Sequence, residues 1–266
     1  MHPYTCKRTP EPLTIDGNLN KPAWQRAQKS HRFIDCIGGN PALYDTRAAV
    51  LWDDTAMYVG FWAEEPFPTA TITQRDGLLW LENDYEVFID GGDIYYELQI
   101  SARNLVYEVL YIWQDAYKAN PLYRAQPAFD VVAHDARVFG GNHDRTGEHF
   151  WKGSHPRGNR WAFLDWDLPG LQTAVQFDGV LNDPQHPGKS LTVEIAFPWD
   201  GLEWLATGRS LPPKDGDIWK LFVGRYEALP LNGEVVSVGW GWDVIGTNDN
   251  HYPEKFTPFT FSTAVV

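Results

Sequence analysis

The sequence predicts an all-β protein, an antiparallel β-sandwich of the immunoglobulin-like or jelly-roll-like kind. Short runs of alternating or β-branched residues, punctuated by Gly, Pro, Asn and Asp, extend along the whole 266-residue chain. Helical patterns are few and short, and no pattern alternates strands with long helices. These observations favour two sheets over one core. Because no linker-like stretch divides the chain, we expect a single domain over residues 1–266.

Each predicted strand is bounded by turn-forming residues. Segments 48–52 and 56–62 flank Asp53-Asp54-Thr55, and segments 85–90 and 95–101 flank Gly91-Gly92-Asp93, so both pairs are predicted hairpins. Further strands are predicted at 104–112, 172–181, 190–197, 219–227, 234–242 and 256–261. Short connecting helices are predicted at 20–27, which has an early Pro22, and at 198–205.

Residues 115–170 interrupt this rhythm and are predicted to form a long irregular insertion. The segment is rich in Pro, Gly, His and Trp and carries few strand signals. Long irregular insertions in compact domains are usually functional or disordered. Aromatic residues favour an ordered lid or wall here, namely Phe150, Trp151, Trp161, Phe163 and Trp166.

The charge balance excludes two classes of partner. Asp and Glu number 35 against 22 Lys and Arg, which gives a formal net charge of -13. A chain this acidic is repelled by phosphate backbones and anionic lipid headgroups, so we expect neither nucleic acid nor a membrane as partner. Hydrophobic residues make up 43% of the chain, enough to exclude low-complexity disorder. A neutral or cationic partner fits this surface.

The sequence leaves cellular location and redox state open. No apolar run approaches the roughly 18 residues of a membrane span, and residues 1–8 lack the apolar core of a signal peptide. We expect a secreted or periplasmic protein if a leader has been removed, and a cytoplasmic one otherwise. Cys6 and Cys36 could form one disulfide, but two free buried thiols are the interpretation that we favour.

Residues 78–90 carry the most informative functional pattern. In the predicted strand, alternation places Glu86 and Phe88 on one face and residues 85, 87 and 89 on the other, while Trp80 lies in the preceding loop. An aromatic ring beside an acid suits a sugar, because the ring stacks on its C–H face and the carboxylate accepts hydroxyls. Alternatively, Trp80 caps the core and Glu86 is solvated, which periodicity alone favours.

A glycosidase is the first alternative. Hydrolysis of a glycosidic bond needs two carboxylates roughly 5 to 10 Å apart. No residue is singled out as a proton donor, so no catalytic residue is assigned. The candidates are Glu82, Asp84, Glu86, Glu97 and Glu108.

Two groups of residues could hold a metal. His143, His149 and His155 are spaced by six within the insertion, whereas zinc sites usually show closer pairs, and a solvated polar loop is favoured. The Asp53-Asp54 turn and the turn at residues 90–93 could hold Ca²⁺, which prefers carboxylate oxygens. Turn formation explains the same residues without an ion.

Several motifs in one order carry a resemblance to a known family. They are PLTIDGNL at 12–19, PAW at 22–24, VLWDDTAMYVG at 50–60, NDYEVFID at 83–90, DGVLNDP at 178–184, TVEIAFPW at 192–199, GDIW at 216–219 and PEKF at 253–256. In kind and order the chain resembles the family 9 carbohydrate-binding modules, over nearly its whole length apart from the insertion.

The resemblance implies an antiparallel sandwich that binds terminal sugar units of glucans or xylans. Such modules are often attached to xylanases or other polysaccharide-degrading enzymes and contain structural calcium. In that family two tryptophans enclose the sugar, while an acid, an arginine and amides donate or accept hydrogen bonds.

Carried over by position, Trp80 corresponds to the first tryptophan and Glu86 to the acid. Gln99 takes the place of the arginine, and Arg225 or Tyr226 falls near a glutamine of the family. The second tryptophan falls near Asn250 or His251, where this chain has none. Instead, the site could be closed by His251, by Tyr252, or by an aromatic of the insertion such as Trp113 or Trp151. Trp242 aligns with a core tryptophan. The ligand-binding set implied is Trp80, Glu86, Gln99, Arg225, Asn248, His251 and Tyr252.

We therefore expect non-catalytic binding of an oligosaccharide or polysaccharide, in particular a plant-type glycan, in support of polysaccharide degradation. A glycoside hydrolase is the expected protein partner and calcium the expected structural ion. The alternatives are a glycoside hydrolase and a structural or docking domain of a polysaccharide-utilisation system.

Overall fold

The structure is a computed structural model that describes residues 2–140, 155–247 and 249–266. Its strands are β1 (Tyr4–Arg8), β2 (Ile34–Asp35), β3 (Thr46–Trp52), β4 (Ala56–Glu64), β5 (Asp84–Asp90), β6 (Ile94–Ile100), β7 (Val106–Trp113), β8 (Arg137–Phe139), β9 (Arg160–Phe163), β10 (Gln172–Phe177), β11 (Ser190–Pro198), β12 (Ile218–Leu231), β13 (Glu234–Gly241) and β14 (Thr257–Val265). Its α-helices are α1 (Pro22–Arg26), α2 (Gln114–Ala119), α3 (Pro121–Ala125) and α4 (Glu203–Ala206). Short 3-10 helices lie at Leu79–Leu81, Pro127–Phe129, Trp199–Leu202 and Pro253–Lys255. Among the helices in these ranges, none has the length and apolar character of a membrane span.

The strands form a continuous sheet that folds over on itself. Their order is β10-β11-β4-β3-β1-β14-β12-β5-β6-β7-β9-β8, with β13 beside β12 and β2. The two halves face each other, since the rings of Phe61 in β4 and Tyr85 in β5 lie 5.6 Å apart. Tyr96 in β6 similarly approaches Phe197 in β11 at 6.3 Å. The predicted all-β sandwich is confirmed, as are the hairpins β3–β4 and β5–β6.

The sheet is mixed rather than wholly antiparallel. Strand β1 pairs parallel to both of its neighbours, β14 and β3, where the two halves join. Strands joined by a tight turn must run antiparallel, but β1 reaches both neighbours through long connections. The direction of β1 is therefore not set by a hairpin. The predicted antiparallel pairing does not hold for β1, which is parallel to both of its neighbours.

The described parts of the 115–170 segment contain more regular structure than its sequence indicates. Helices α2 and α3 follow β7, and strands β8 and β9 extend the sheet beyond it. Three- and four-residue strands are too short to show clear alternation, which is why they escaped prediction. Phe163 is buried and Trp161 and Trp166 are half-buried, while Phe150 and Trp151 lie outside the described residues.

The core is built largely from aromatic side chains. Four tryptophans of the motifs quoted above are buried, namely Trp24, Trp52, Trp199 and Trp219, and so is Trp242, which the resemblance aligns with a core tryptophan. Cys6 and Cys36 are buried and both are free thiols. Burial raises the pKa of each thiol well above its usual range, so neither is a reactive thiolate.

Candidate functional site

A carboxylate and an amide face each other across β5 and β6. The antiparallel register places Glu86 directly opposite Gln99. Because Tyr85 faces the other half of the sandwich, alternation turns both side chains to the opposite face of the sheet. The Gln99 Nε2 donates to Glu86 Oε1 at 3.1 Å and to Glu97 Oε1 at 2.7 Å. Two carboxylates therefore fix the orientation of the Gln99 amide.

The segment after β13 closes over this pair. Asn250 Nδ2 donates to Glu86 Oε2 at 2.6 Å. Glu86, Gln99 and Asn250 are 3%, 2% and 4% exposed, so bulk water does not reach the network. Within the described part of the chain, the Gln99 Oε1 is buried without a hydrogen-bond partner. The network thus contains one unused acceptor, which costs free energy until a donor reaches it.

Glu97 is the second acid of this network. Its Oε2 accepts from the Tyr111 hydroxyl at 2.7 Å, while Gln99 donates to its other oxygen. Burial raises the pKa of Glu97 to about 7, against the opposing effect of the hydrogen bonds from Tyr111 and Gln99. The Glu97 carboxyl is therefore partly protonated near neutral pH. Its position two residues before Gln99, on the same face of β6, could have been read from the alternation.

His251 lies beside the network, with its Nε2 3.9 Å from Glu97 Oε2. Its Nδ1 lies 3.1 Å from the Tyr95 hydroxyl, and its ring lies 4.4 Å from that of Phe139. Its carbonyl accepts a hydrogen bond from Arg160 at 2.5 Å. Tyr252 is half-buried, and its ring lies 4.7 Å from the ring of His155.

Asn248, the remaining predicted site residue of this segment, lies outside the described residues. The family resemblance places Asn250 only near the position of the missing tryptophan. Its contact with Glu86 depends on how the segment folds over the sheet, and no local pattern signals it.

Trp80 lies in the 3-10 helix Leu79–Leu81 that leads into β5, as the sequence predicts for the loop before the strand. The ring is half-buried and packs against the main core. Glu82 fixes the neighbouring chain by accepting from the backbone N–H groups of Thr71 at 2.8 Å and Ile72 at 3.2 Å. Trp80 therefore has a defined position at the start of β5 while part of its surface stays accessible.

Arg225 does not join the Glu86 network. Gly224 of β12 lies opposite Glu86, whereas Arg225 lies opposite Tyr85 and shares its inward face. The guanidinium is fully buried and contacts Glu65 and Glu227, each at 2.7 Å. The structure thus places Arg225 in an internal ion-pair cluster on the other side of the sheet.

Trp113, which the sequence offered as a ring that could close the site, is also internal. It is 2% exposed, and its ring lies under the Arg160 guanidinium at 4.2 Å and beside His155 at 4.5 Å. Its faces are therefore covered by the protein. The second candidate, Trp151, lies outside the described residues.

The aspartates considered as calcium ligands make hydrogen bonds and ion pairs within the protein. Asp53 accepts from the backbone N–H groups of Thr55 and Ala56 and from the Tyr58 hydroxyl, at 2.6, 3.0 and 2.9 Å. Asp54 pairs with Arg8 at 2.7 Å. Both Asp53 oxygens and one Asp54 oxygen are already used within the protein, so this turn is a poor fit for Ca²⁺.

The second turn shows the same pattern. Asp90 accepts from the backbone N–H of Gly92 at 2.7 Å, and Asp93 pairs with Arg157 at 2.6 Å. A structural calcium elsewhere in the chain stays a prediction. Of the three histidines considered as zinc ligands, His155 is described and lies 3.1 Å from Glu254, whereas His143 and His149 lie outside the described residues.

Neither a known protein-family profile nor a curated protein sequence matches this chain. Solved structures do share its fold. One is a protein from Bacteroides uniformis for which carbohydrate binding has been suggested, with a TM-score of 0.59, 12% identity, and coverage of 97% of this chain and 98% of that one.

Two others are structures of a family 9 carbohydrate-binding module from Caldicellulosiruptor kristjanssonii. The complex with cellotriose has a TM-score of 0.52 and 12% identity, and covers 98% of this chain and 94% of that one. The complex with glucose has the same TM-score and identity, and covers 97% and 96%. The fold implied by the family resemblance is therefore confirmed over almost the whole chain.

Proposed function

We propose that this domain binds carbohydrate without catalysing a reaction. The observation that carries the proposal is the end-to-end fold shared with a family 9 module seen with cellotriose and with glucose. The Glu86–Gln99–Asn250 network supports it, because Glu86 lies on the strand that begins directly after the tryptophan that the family resemblance assigns to stacking.

The chemistry of these groups suits a sugar. A carboxylate accepts from two neighbouring hydroxyls, and an amide oxygen accepts from a third, while a partly accessible indole can stack on a pyranose C–H face. Gln99 Oε1 is an acceptor without a donor, so a sugar hydroxyl would satisfy it. Since Glu86 is only 3% exposed, binding requires the segment that carries Asn250 to move aside. A sugar hydroxyl would then replace Asn250 as the donor to Glu86.

The proposal extends to the kind of sugar and to the residues that contact it. We place β-linked glucan fragments first among the ligands, because cellotriose occupies the Caldicellulosiruptor module, and xylan fragments second. Arg225 is omitted from the contact set, since it serves the internal ion-pair cluster. Plant-type glycan degradation beside a glycoside hydrolase is the biological role that we propose.

Calorimetric titration tests the proposal with cellotriose, xylotriose, mannotriose and glucose. We expect wild type to bind at least one of them and Trp80→Ala to weaken binding roughly five- to tenfold, as the loss of one aromatic contact predicts. Trp62→Ala is the matched control, because Trp62 is half-buried in β4, in the other half of the sandwich, and should leave affinity unchanged. Absence of wild-type binding to every glucan, xylan and mannan fragment would overturn the proposal.

A glycosidase is the second candidate, and one observation favours it. Glu86 and Glu97 both accept from Gln99 Nε2, so the structure holds two carboxylates close together, and the pKa of Glu97, raised to about 7 by burial, suits a general acid. Chromogenic glycosides distinguish the two functions. Turnover by wild type that is abolished in both Glu86→Gln and Glu97→Gln would establish the enzyme; binding without turnover supports the binding module.

A further inference from the structure

Three metal-ligating side chains meet at a place unrelated to the Glu86 network. His2 precedes β1, His31 lies between α1 and β2, and Asp243 follows β13. One ligand atom from each residue lies within 4.8 Å of the others. The residues are up to 241 positions apart, so no spacing motif could have indicated this His2–His31–Asp243 cluster.

His31 presents an imidazole nitrogen that the protein leaves unused. Its Nε2 is buried, with no hydrogen-bond partner in the residues that the structure describes. Its ring lies 4.3 Å from the ring of His2. A buried polar atom without a partner is costly, and a metal ion would satisfy it.

Asp243 is oriented for the same purpose. Its carboxylate is 5% exposed. The Thr257 hydroxyl and the backbone N–H of His2 each donate to Oδ2 at 2.8 Å, and Oδ1 lies 2.6 Å from the Nδ1 of His2. One oxygen is thus held by neighbouring donors while the other is directed at the histidine. Hydrogen bonds of this kind commonly fix the geometry of metal-binding carboxylates.

We propose that His2, His31 and Asp243 bind one divalent transition-metal ion, with Zn²⁺ as the best match. Two imidazole nitrogens and one carboxylate oxygen are a typical zinc donor set, and a water completes the tetrahedron. Imidazole nitrogens are not ligands that Ca²⁺ or Mg²⁺ prefers, so this site is distinct from a structural calcium.

The cluster can close around an ion with little rearrangement. Zinc–ligand bonds of 2.0–2.1 Å place tetrahedral ligand atoms roughly 3.4 Å apart. The three ligand atoms lie within 4.8 Å of one another, so the widest separation must shrink by at most about 1.4 Å. The His2 side chain is 62% exposed and can supply that movement. The ion would replace the His2–Asp243 hydrogen bond and fasten residue 2 to the segment that continues to Asn250 and His251.

Zinc titration of the full chain, after chelator treatment and without an affinity tag, tests the site. We expect one Zn²⁺ per chain by calorimetry, an increase in Tm, and no comparable response to Ca²⁺. His2→Ala should weaken zinc binding at least tenfold. Because the His2 side chain is exposed, we expect the variant to fold as wild type does.

The matched control is His186→Ala, which removes an exposed histidine paired with Asp183 and should leave zinc binding unchanged. His31→Ala should behave as His2→Ala does. Absence of zinc binding by wild type, or weakening of less than tenfold in His2→Ala, would overturn the assignment. Sugar binding is measured separately, so neither result depends on the other.

Discussion

Glu86 and Gln99 lie opposite each other on β5 and β6. The Gln99 Nε2 donates hydrogen bonds to Glu86 at 3.1 Å and to Glu97 at 2.7 Å. The amide oxygen of Gln99, buried in the same place, has no donor within the described chain. The network is therefore rich in acceptors and short of donors. Sugar hydroxyls supply such donors, which is the physical link between this geometry and the proposed function.

Gln99→Met should destabilise the fold by roughly 1–3 kcal/mol, because the two buried carboxylates lose a shared donor. Urea unfolding of wild type and variant measures the difference. Gln185→Met is the matched control at an exposed position, where substitutions usually change stability by less than about 0.5 kcal/mol. Equal stability of wild type and Gln99→Met would show that the donor contributes nothing.

Stability should fall as pH rises from about 4.5 to 7, and Glu97 should cause part of the fall. Burial raises its pKa from 4.5 to about 7, so the folded state holds this proton more tightly than the unfolded state does. The associated stability is fully present below pH 4.5 and is lost as pH rises through about 7. A shift of this size corresponds to about 3 kcal/mol.

Unfolding free energies at pH 5 and pH 8 check this expectation. Glu97→Gln cannot ionise, so its stability should vary less with pH than that of wild type. Its single amide oxygen can still accept from Gln99, while its NH2 group faces the Tyr111 hydroxyl, which can accept as well as donate. Burial also raises the pKa of Glu108 to about 7. Because Glu108 is present in both proteins, its contribution to the pH dependence of stability is the same in each. Parallel pH profiles would contradict the role of Glu97.

Arg225→Met should cost roughly 3–5 kcal/mol, since it leaves Glu65 and Glu227 buried without their cation. Chemical denaturation provides the measurement. Arg137→Met, which breaks the exposed pair with Asp135, is the control and should have a much smaller effect. If sugar affinity fell in Arg225→Met while stability did not, the internal role of Arg225 would be wrong.

Asp53→Asn distinguishes turn formation from calcium binding. Asp53 accepts from Thr55, Ala56 and Tyr58, so neutralising it should destabilise the β3–β4 hairpin by about 1–2 kcal/mol. The loss of stability should be the same in a chelator and in millimolar Ca²⁺. A calcium-dependent Tm in wild type that disappears in Asp53→Asn would instead place the predicted calcium at this turn.

Much of the fold follows from local patterns in the sequence. The β3–β4 and β5–β6 hairpins were predictable because alternation and turn residues act over a few positions, and the turn between two strands sets their pairing. Glu86 and Gln99 belong to one hairpin, so their proximity follows from the pairing that its turn sets. The short strands β8 and β9 were not predictable, because so few residues carry no clear period.

What the sequence by itself determined is therefore the all-β class, the hairpins and the position of Trp80 and Glu86 around β5. Only the tertiary structure decided that Arg225 faces inward beside Tyr85, that Asn250 reaches Glu86, and that His2 meets Asp243. These contacts join residues more than 130 positions apart. Burial of the aromatic core and pairing of distant strands bring them together, and neither depends on local spacing.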